Sequence, residues 1–290
     1  MNLYKSLIFI LYLGIFLGSG FRTPAQSRDS ITLYGTLDTV QVIRQRIQHA
    51  NEANAGARVT HISPAILQAN KTRSLAELLT DHTSIYIKSL GTGALSTASF
   101  RGTSASQTRV NWNGINITPP LSGTFDFSQI PVFFTDNINL YYGSSHVKNG
   151  TGAIGGSVNL FTDTDWNRGV NGRVLAEYGS YNTYTVGGQV NISGNKSASK
   201  TRLYYQHSDN DYTYLNKVLT NIAFREKRQD AAYSQFGIMQ EGYFRVSPYT
   251  RLTAVAWYQK NHRNLPQPLG VVNRSQEDQE ENNFRGYAGL

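Results

Sequence analysis

The sequence predicts an α+β domain followed by antiparallel strands of the kind that build a transmembrane β-barrel. Three observations carry this reading. Residues 1–25 have the make-up of an export signal. Short β-prone runs and two capped helices fill Val59 to Asp163, with connections rich in Gly, Ser and Thr. Beyond Trp166 the texture changes to hairpin after hairpin, with apolar and polar residues in alternation.

The N-terminal signal has Lys5 as its positive start and a nearly continuous apolar run from Leu7 to Leu17. Thr23 and Ala25 place small residues three and one positions ahead of a cut at Gln26. Left uncut, the same run would be an anchor, although it is shorter than the roughly 20 apolar residues of a membrane helix. Residues 26–58 read as a tail. Asp29 to Leu37 is extended, Asp38 to Ile43 is β-prone, and Arg44 to Arg58 is a polar linker.

The α+β domain occupies residues 59–164. Val59 to Ile62 is a short strand, and Ser63-Pro64 then opens a helix with serine at the cap and proline in the first turn. A second helix starts at Thr72 or Ser74, with Leu75, Leu78 and Leu79 on one face and Glu77 in its first turn. Strands are expected at Ile85–Lys88, Ala98–Arg101, Arg109–Trp112, Ile115–Ile117, Asn137–Tyr142 and Ser157–Thr162.

Gly150, Gly152 and Gly155 satisfy the spacing of a dinucleotide-binding loop. That loop needs a helix after it, to set the phosphate at a helix N-terminus. Here Ser157 to Thr162 is a strand pattern, so the glycines are expected to form a tight turn with left-handed backbone.

In the C-terminal part, residues 165–290, the clearest alternation is Thr183–Ser193. Tyr184, Val186, Gly188, Val190 and Ile192 lie on one face, and Thr183, Thr185, Gln189 and Asn191 on the other. Further strands are expected at Gly172–Tyr178, Thr201–Ser208, Ala232–Val246, Arg251–Lys260 and from Asn283 onward. If the first strand ascends, Gly194–Lys200 and Ser247–Thr250 are short inner turns, while Asp209–Asp230 and Asn261–Asn282 are long outer loops. A soluble β-sandwich would use similar alternation, but would not need aromatic strands after a signal.

Composition narrows the classes. The net charge of +8 is scattered rather than clustered, which argues against nucleic acid as a partner. The chain has 18 Tyr, 26 Gly, 2 Met and no Cys. That excludes disulfide staples and thiolate chemistry. The six histidines show no metal-ligand spacing and no serine sits in a nucleophile elbow, so no enzyme is expected.

The order of several segments resembles the plug domain of the TonB-dependent outer-membrane receptors. These are Ser74–Leu79 with Ile85–Ile87, then Phe100-Arg101-Gly102, then Val110 to Ile115 with its Asn113-Gly114 turn. Leu140 to Ser145 follows, and Gly150 to Thr162 with Gly152, Gly155 and Gly156 is the nearest match. The N-terminal extension is most similar to the cobalamin-receptor branch.

The resemblance implies a plug that fills a 22-stranded barrel in the outer membrane of a Gram-negative bacterium. Residues 165–290 supply five or six strands at about 20 residues per strand and connection, so the barrel is expected to be incomplete. It also implies that Asp38, Thr39, Val40, Gln41 and Val42 form the box that joins the inner-membrane energy-transducing protein TonB by strand addition. Arg101, with Gly102, is expected to pair with barrel glutamates. Phe100 replaces the family's isoleucine, Asn113 replaces an aspartate, and Tyr142 stands where relatives carry arginine.

In the cobalamin branch outer-loop aspartates bind calcium, and Asp209 and Asp211 could contribute ligands; no other cofactor is expected. Outer-membrane lipid and a small-molecule or metal-chelate ligand are the remaining partners. Cobalamin, a ferric siderophore and haem stay open as ligands, and the loops Gly91–Thr97 and Thr118–Phe125 are expected to face them. The alternative is a surface-exposed β-rich binding or adhesion protein, which would not need Asp38–Val42.

Overall fold

The computed structural model describes residues 58–143, 153–217, 223–267, 269 and 276–290, all within one compact unit, Asn54–Leu290. The signal, the segment Asp38–Val42, Gly150 and Gly152 lie outside the described residues.

The inner α/β module starts with β1 (Arg58–His61), α1 (Pro64–Ala69) and α2 (Leu75–His82). Both helices begin as their sequences dictate. Ser63 Oγ accepts from Ile66 N at 3.3 Å. Ser74 and Glu77 form a reciprocal capping box, with Ser74 N donating to Glu77 Oε2 at 2.8 Å. Leu75, Leu78 and Leu79 are buried. Then follow β2 (Tyr86–Ser89), β3 (Ser96–Ser99), β4 (Thr108–Trp112), β5 (Ile115–Asn116), β6 (Asn137–Tyr142) and β7 (Gly156–Phe161). Five of these strands form one sheet in the order β1-β6-β7-β4-β5, while β2 and β3 make a separate hairpin.

Two expectations within the module are corrected. β3 stops at Ser99, so Arg101 is not in a strand. Arg101 and Gly102 take φ of 48° and 79° in a turn closed by Thr103 N to Phe100 O at 2.9 Å. Gly155 and Gly156 do not adopt left-handed backbone. They are needed for close approach: a Cβ on Gly156 would stand 2.5 Å from Tyr141 O and 2.7 Å from the Phe100 ring. A strand follows these glycines, which removes the dinucleotide reading.

The wall consists of β8 (Gly169–Gly179), β9 (Thr183–Ser193), β10 (Ser197–Ser208), β13 (Tyr233–Arg245), β14 (Arg251–Leu265) and β15 (Glu277–Gly289). They form a six-stranded, wholly antiparallel open sheet in which each strand pairs with its predecessor. The one insertion is a small hairpin, β11 (Thr213–Asn216) with β12 (Phe224–Lys227), between β10 and β13. This hairpin lies within the expected long outer loop Asp209–Asp230. Four strand ends also move by three residues or more. β8 starts at Gly169 and β10 at Ser197, while β14 runs to Leu265 and β15 starts at Glu277. In each case a short, mostly polar stretch still completes the ladder.

The wall is built inside out. On β9 the apolar residues Val186, Val190 and Ile192 are exposed, while Thr185, Asn191 and Ser193 are buried. On β14 Leu252 is exposed, whereas Val255, Trp257 and Gln259 are buried. An outward apolar face and an inward face of mixed polarity are what a strand between lipid and a filled lumen requires. Strand lengths of 11 to 15 residues are enough to cross a bilayer when tilted. Among the described residues no helix is long and apolar enough to cross a membrane.

The two faces of β9 should therefore respond differently to one charge. Val186→Arg on the outward face should cost about 2–4 kcal/mol of insertion free energy at mid-membrane depth. Gln189→Arg on the inward face should insert nearly as well as the parent. Insertion into lipid vesicles, followed by tryptophan fluorescence, measures both.

Candidate functional site

Residues 126–136 form an irregular strap across the inward face of the wall. Short 3-10 turns at Phe127–Gln129 and Val132–Phe134, separated by Pro131, leave several of its carbonyls without backbone partners. A buried carbonyl must be paired. Wall side chains supply the donors. Gln235 Nε2 donates to Ser128 O at 2.9 Å, Gln259 to Gln129 O, and Arg202 Nη1 to Phe133 O at 2.9 Å. Gln129 Nε2 in turn donates to Glu281 on β15 at 2.6 Å.

The two ends of the strap carry charge. At one end Asp126 Oδ1 accepts from Ser96 N and Ser128 N, each at 3.0 Å, and Oδ2 meets Arg263 Nη1 at 2.8 Å. Arg263 also donates to Gln279 Oε1 at 2.8 and 3.0 Å. At the other end Asp136 pairs with Arg202 and, at 3.0 Å, with Lys200. Arg202 Nε lies 3.0 Å from Glu241 Oε1, and Tyr243 OH donates to Glu241 Oε2 at 2.6 Å. Arg202 and Glu241 have fully buried side chains.

Burial works to raise the pKa of Asp136, but Arg202 and Lys200 outweigh it and hold the carboxyl at about 2. Nearby Lys71 donates to Thr135 O at 2.5 Å. Burial pushes its pKa down to about 8 against the pull of Asp136.

Between the charged ends the fit is aromatic. Phe133 stacks on Tyr204 at 5.9 Å, Phe134 lies 5.2 Å from Trp257, and Trp112 lies 5.4 Å from Trp257. Two glycines make the fit possible, one on each side. A Cβ on wall Gly237 would stand 2.7 Å from the Phe134 ring, and one on Gly93 would stand 2.2 Å from the Tyr233 ring. Gly93 also has φ of 70°.

The loop Gly91–Thr97 sits at the end of the wall where the long connections lie. Asn210 Nδ2 donates to Thr92 O at 3.0 Å, and Tyr233 covers Gly93. Loop Thr118–Phe125 leads directly into Asp126, which holds Ser96 of the first loop. The two sequence-predicted loops are therefore linked through Asp126. A cavity of about 150 Å³ opens beside the first loop, lined by Glu77, Asp81, Gly91, Gly93, Tyr233 and Gln235 among others.

The remaining predicted positions are more dispersed. Arg101 is exposed and has no carboxylate within 4.0 Å among the described residues. Asn113 and Gly114 make the expected left-handed turn, at φ 48° and 85°, and Asn113 Oδ1 accepts from Thr162 N at 2.9 Å. Tyr142 packs edge-on against Phe100 at 5.3 Å. Asp209 accepts from Asn182 and His207, each at 3.1 Å, while Asp211 pairs with Lys227 at 2.7 Å. Among the described residues no three acidic or histidine side chains are grouped to hold a metal ion.

Sequence reasoning missed Asp136, Lys200, Arg202, Glu241 and the Asp126–Arg263 pair. One signal was available: Lys200 and Arg202 occupy the same alternation phase as buried Tyr204 and Ser208.

Residues 51–157 match the family model described as the TonB-dependent receptor plug domain. The vitamin B12 transporter BtuB of Photobacterium profundum is 32% identical over 137 residues, which is 47% of this chain and 22% of that protein. BtuB of Vibrio cholerae is 32% identical over 126 residues, or 43% and 20% of the two chains. The chain thus spans about a fifth of these relatives' length. Among solved structures, the alcaligin outer-membrane receptor FauA of Bordetella pertussis superposes with a TM-score of 0.60 at 14% identity, covering 80% of this chain and 35% of that one. The ferripyoverdine receptor of Pseudomonas aeruginosa gives 0.56 at 17% identity, covering 71% and 25%. At these identities the two structures show a shared fold.

Two outcomes are expected at the strap. Arg202→Met leaves fully buried Glu241 with Lys200 at 3.8 Å as its remaining cation and should cost about 3–5 kcal/mol of stability, read from urea denaturation in detergent. Asp136, held at about 2 against an ordinary 3.8, should contribute about 2 kcal/mol in full above about pH 4 and lose it as pH falls toward 2. Asp136→Asn should flatten that part of the stability-against-pH curve.

Proposed function

Because this chain carries a TonB-dependent receptor plug domain, we propose that it works in an outer-membrane receptor for the energy-coupled uptake of a scarce nutrient, such as cobalamin or a ferric siderophore. The observation that carries the reading is the inside-out wall holding an irregular strap through side-chain hydrogen bonds, a charge cluster and aromatic packing. A side-chain amide on a carbonyl is worth about 1 kcal/mol net.

In this reading the six-stranded sheet is an arc of a closed wall, 22 strands in the family's usual form. Edges such as β8 and β15 need partners in lipid, because unpaired backbone groups there are costly. Asp38–Val42 is the segment offered to the energy-transducing partner, whose sheet it extends through its own backbone groups. The ligand sits on loops Gly91–Thr97 and Thr118–Phe125. Binding there acts on Asp126, which joins both loops to Arg263 of the wall. No covalent step is required of any residue.

Strand addition depends on backbone N–H groups, so Val40→Pro should abolish accumulation of ligand in cells while leaving equilibrium binding to outer-membrane vesicles unchanged. Uptake at the parent rate in the variant would remove the energy-coupled reading and favour a surface binding protein.

A further inference from the structure

The end of the wall that is closed by short turns carries charge that its own residues do not balance. Residues 163–168, 194–197 and 245–251 meet there and contain four cations and two acids. The cations lie side by side across the strand ends. Arg168 N donates to Ser193 Oγ at 3.2 Å, and Arg245 N donates to Lys196 O at 2.8 Å. Arg245 stands directly opposite Arg251 in the β13–β14 ladder. Like charges facing each other across a ladder repel.

The two acids reach only the flanking members of this row. Arg168 meets Asp165 at 3.4 Å, and Arg251 meets Asp163 at 3.6 Å. Lys196 and Arg245 are exposed and have no acid within 4.0 Å among the described residues. Arg245 Nη1 donates to Asn195 O at 3.3 Å, and its guanidinium lies 4.0 Å from the centre of the Trp166 ring. These contacts hold it beside Lys196 without cancelling its charge. At the far end of β14 the basic side chains are each paired. Lys260 meets Glu280 at 3.0 Å, His262 meets Asp278 at 3.3 Å, and Arg263 meets Asp126 at 2.8 Å.

Apolar groups adjoin the surplus charge. Phe244 and Leu252 are opposite each other in register, one residue nearer the middle of the wall than Arg245 and Arg251, and both are exposed. On the turn between the two arginines Val246 is exposed, and Tyr249 is 90% exposed. An outward apolar face that ends in aromatic side chains marks the boundary between hydrocarbon and water. A soluble anion would answer the charge and leave these side chains in water. An anionic phospholipid answers both, with its headgroup on the cations and its chains over the apolar residues.

We propose that this rim binds an anionic phospholipid. Lys196 and Arg245 donate to its phosphate group, and Phe244 and Leu252 lie against its acyl chains. Arginine and lysine divide the work: the planar guanidinium, held flat by Trp166, offers a fork of N–H groups, and the flexible ammonium adapts to it. A lipid so held relieves the repulsion between Arg245 and Arg251 and sets the depth of the rim in its leaflet, whatever nutrient is imported.

The test titrates the chain, purified and freed of lipid in a neutral detergent, with phosphatidylglycerol, with phosphatidylcholine of the same chains, or with inorganic phosphate. Thermal unfolding reads the binding, and native mass spectrometry counts the lipid retained. Phosphatidylglycerol should raise the unfolding temperature at concentrations at least about tenfold below those that phosphatidylcholine requires. Inorganic phosphate should give no shift. Lys196→Gln combined with Arg245→Gln should abolish the preference for phosphatidylglycerol. Arg245→Lys, which keeps the charge and guards against a purely structural loss, should retain most of it, and Lys260→Gln at the far end should retain all of it.

Equal potency of the two lipids would overturn the proposal. So would a preference that survives in the double variant, one that is lost equally in Lys260→Gln, or a shift from inorganic phosphate that matches the lipid's.

Discussion

Everything in this molecule depends on how the strap at residues 126–136 meets its need for hydrogen bonds. An irregular segment buried between a sheet and a wall cannot satisfy its own carbonyls. It borrows donors from Gln235, Gln259 and Arg202, which belong to three different strands of the wall. The module and the wall are therefore not two finished domains in contact. Each leaves polar groups that only the other completes, and the aromatic packing of Phe133, Phe134, Tyr204 and Trp257 lies between them.

The buried charges at the lower end of the strap follow the same logic. Asp136, Lys200, Arg202 and Glu241 would be expensive singly, and the cluster is tolerable because each member has an opposite neighbour. Across the seam the module's acid Asp136 meets Lys200 and Arg202 of the wall, which also supplies the second acid, Glu241. That is the reverse of the polarity implied by the family resemblance, in which a module arginine meets wall glutamates. Two of the three departures from the resembled pattern are neighbours in space. Phe100 and Tyr142 pack against each other, so the position that would carry an arginine carries half of an aromatic pair.

Much of the architecture was legible in the sequence because its cues are local. Ser74 with Glu77 announced a helix start, Asn113-Gly114 announced a left-handed turn, and the alternation of Thr183–Ser193 gave both faces of β9. The strap was not legible. It has no period, and its partners lie 60 to 150 residues away in sequence, as Gln129 and Glu281 do. Arg101 was singled out by motif, whereas Arg202 was passed over as one more strand cation. Only pairing register shows that β10 places Arg202 opposite Met239 with Glu241 two residues further along β13. Strand ends such as Ser197 and Glu277 were missed for a related reason: a ladder continues on backbone groups alone, whatever the side chains signal.

Gly93 and Gly237 set a limit on inheritance. One hollow is on the module and receives a ring of the wall; the other is on the wall and receives a ring of the module. A recombination event that exchanged either half with a distant homologue would bring a Cβ against an aromatic ring, or an empty hollow against a small side chain. Both halves must then travel together through gene exchange, and diversification is free to occur mainly at the rim, where neither hollow is at stake.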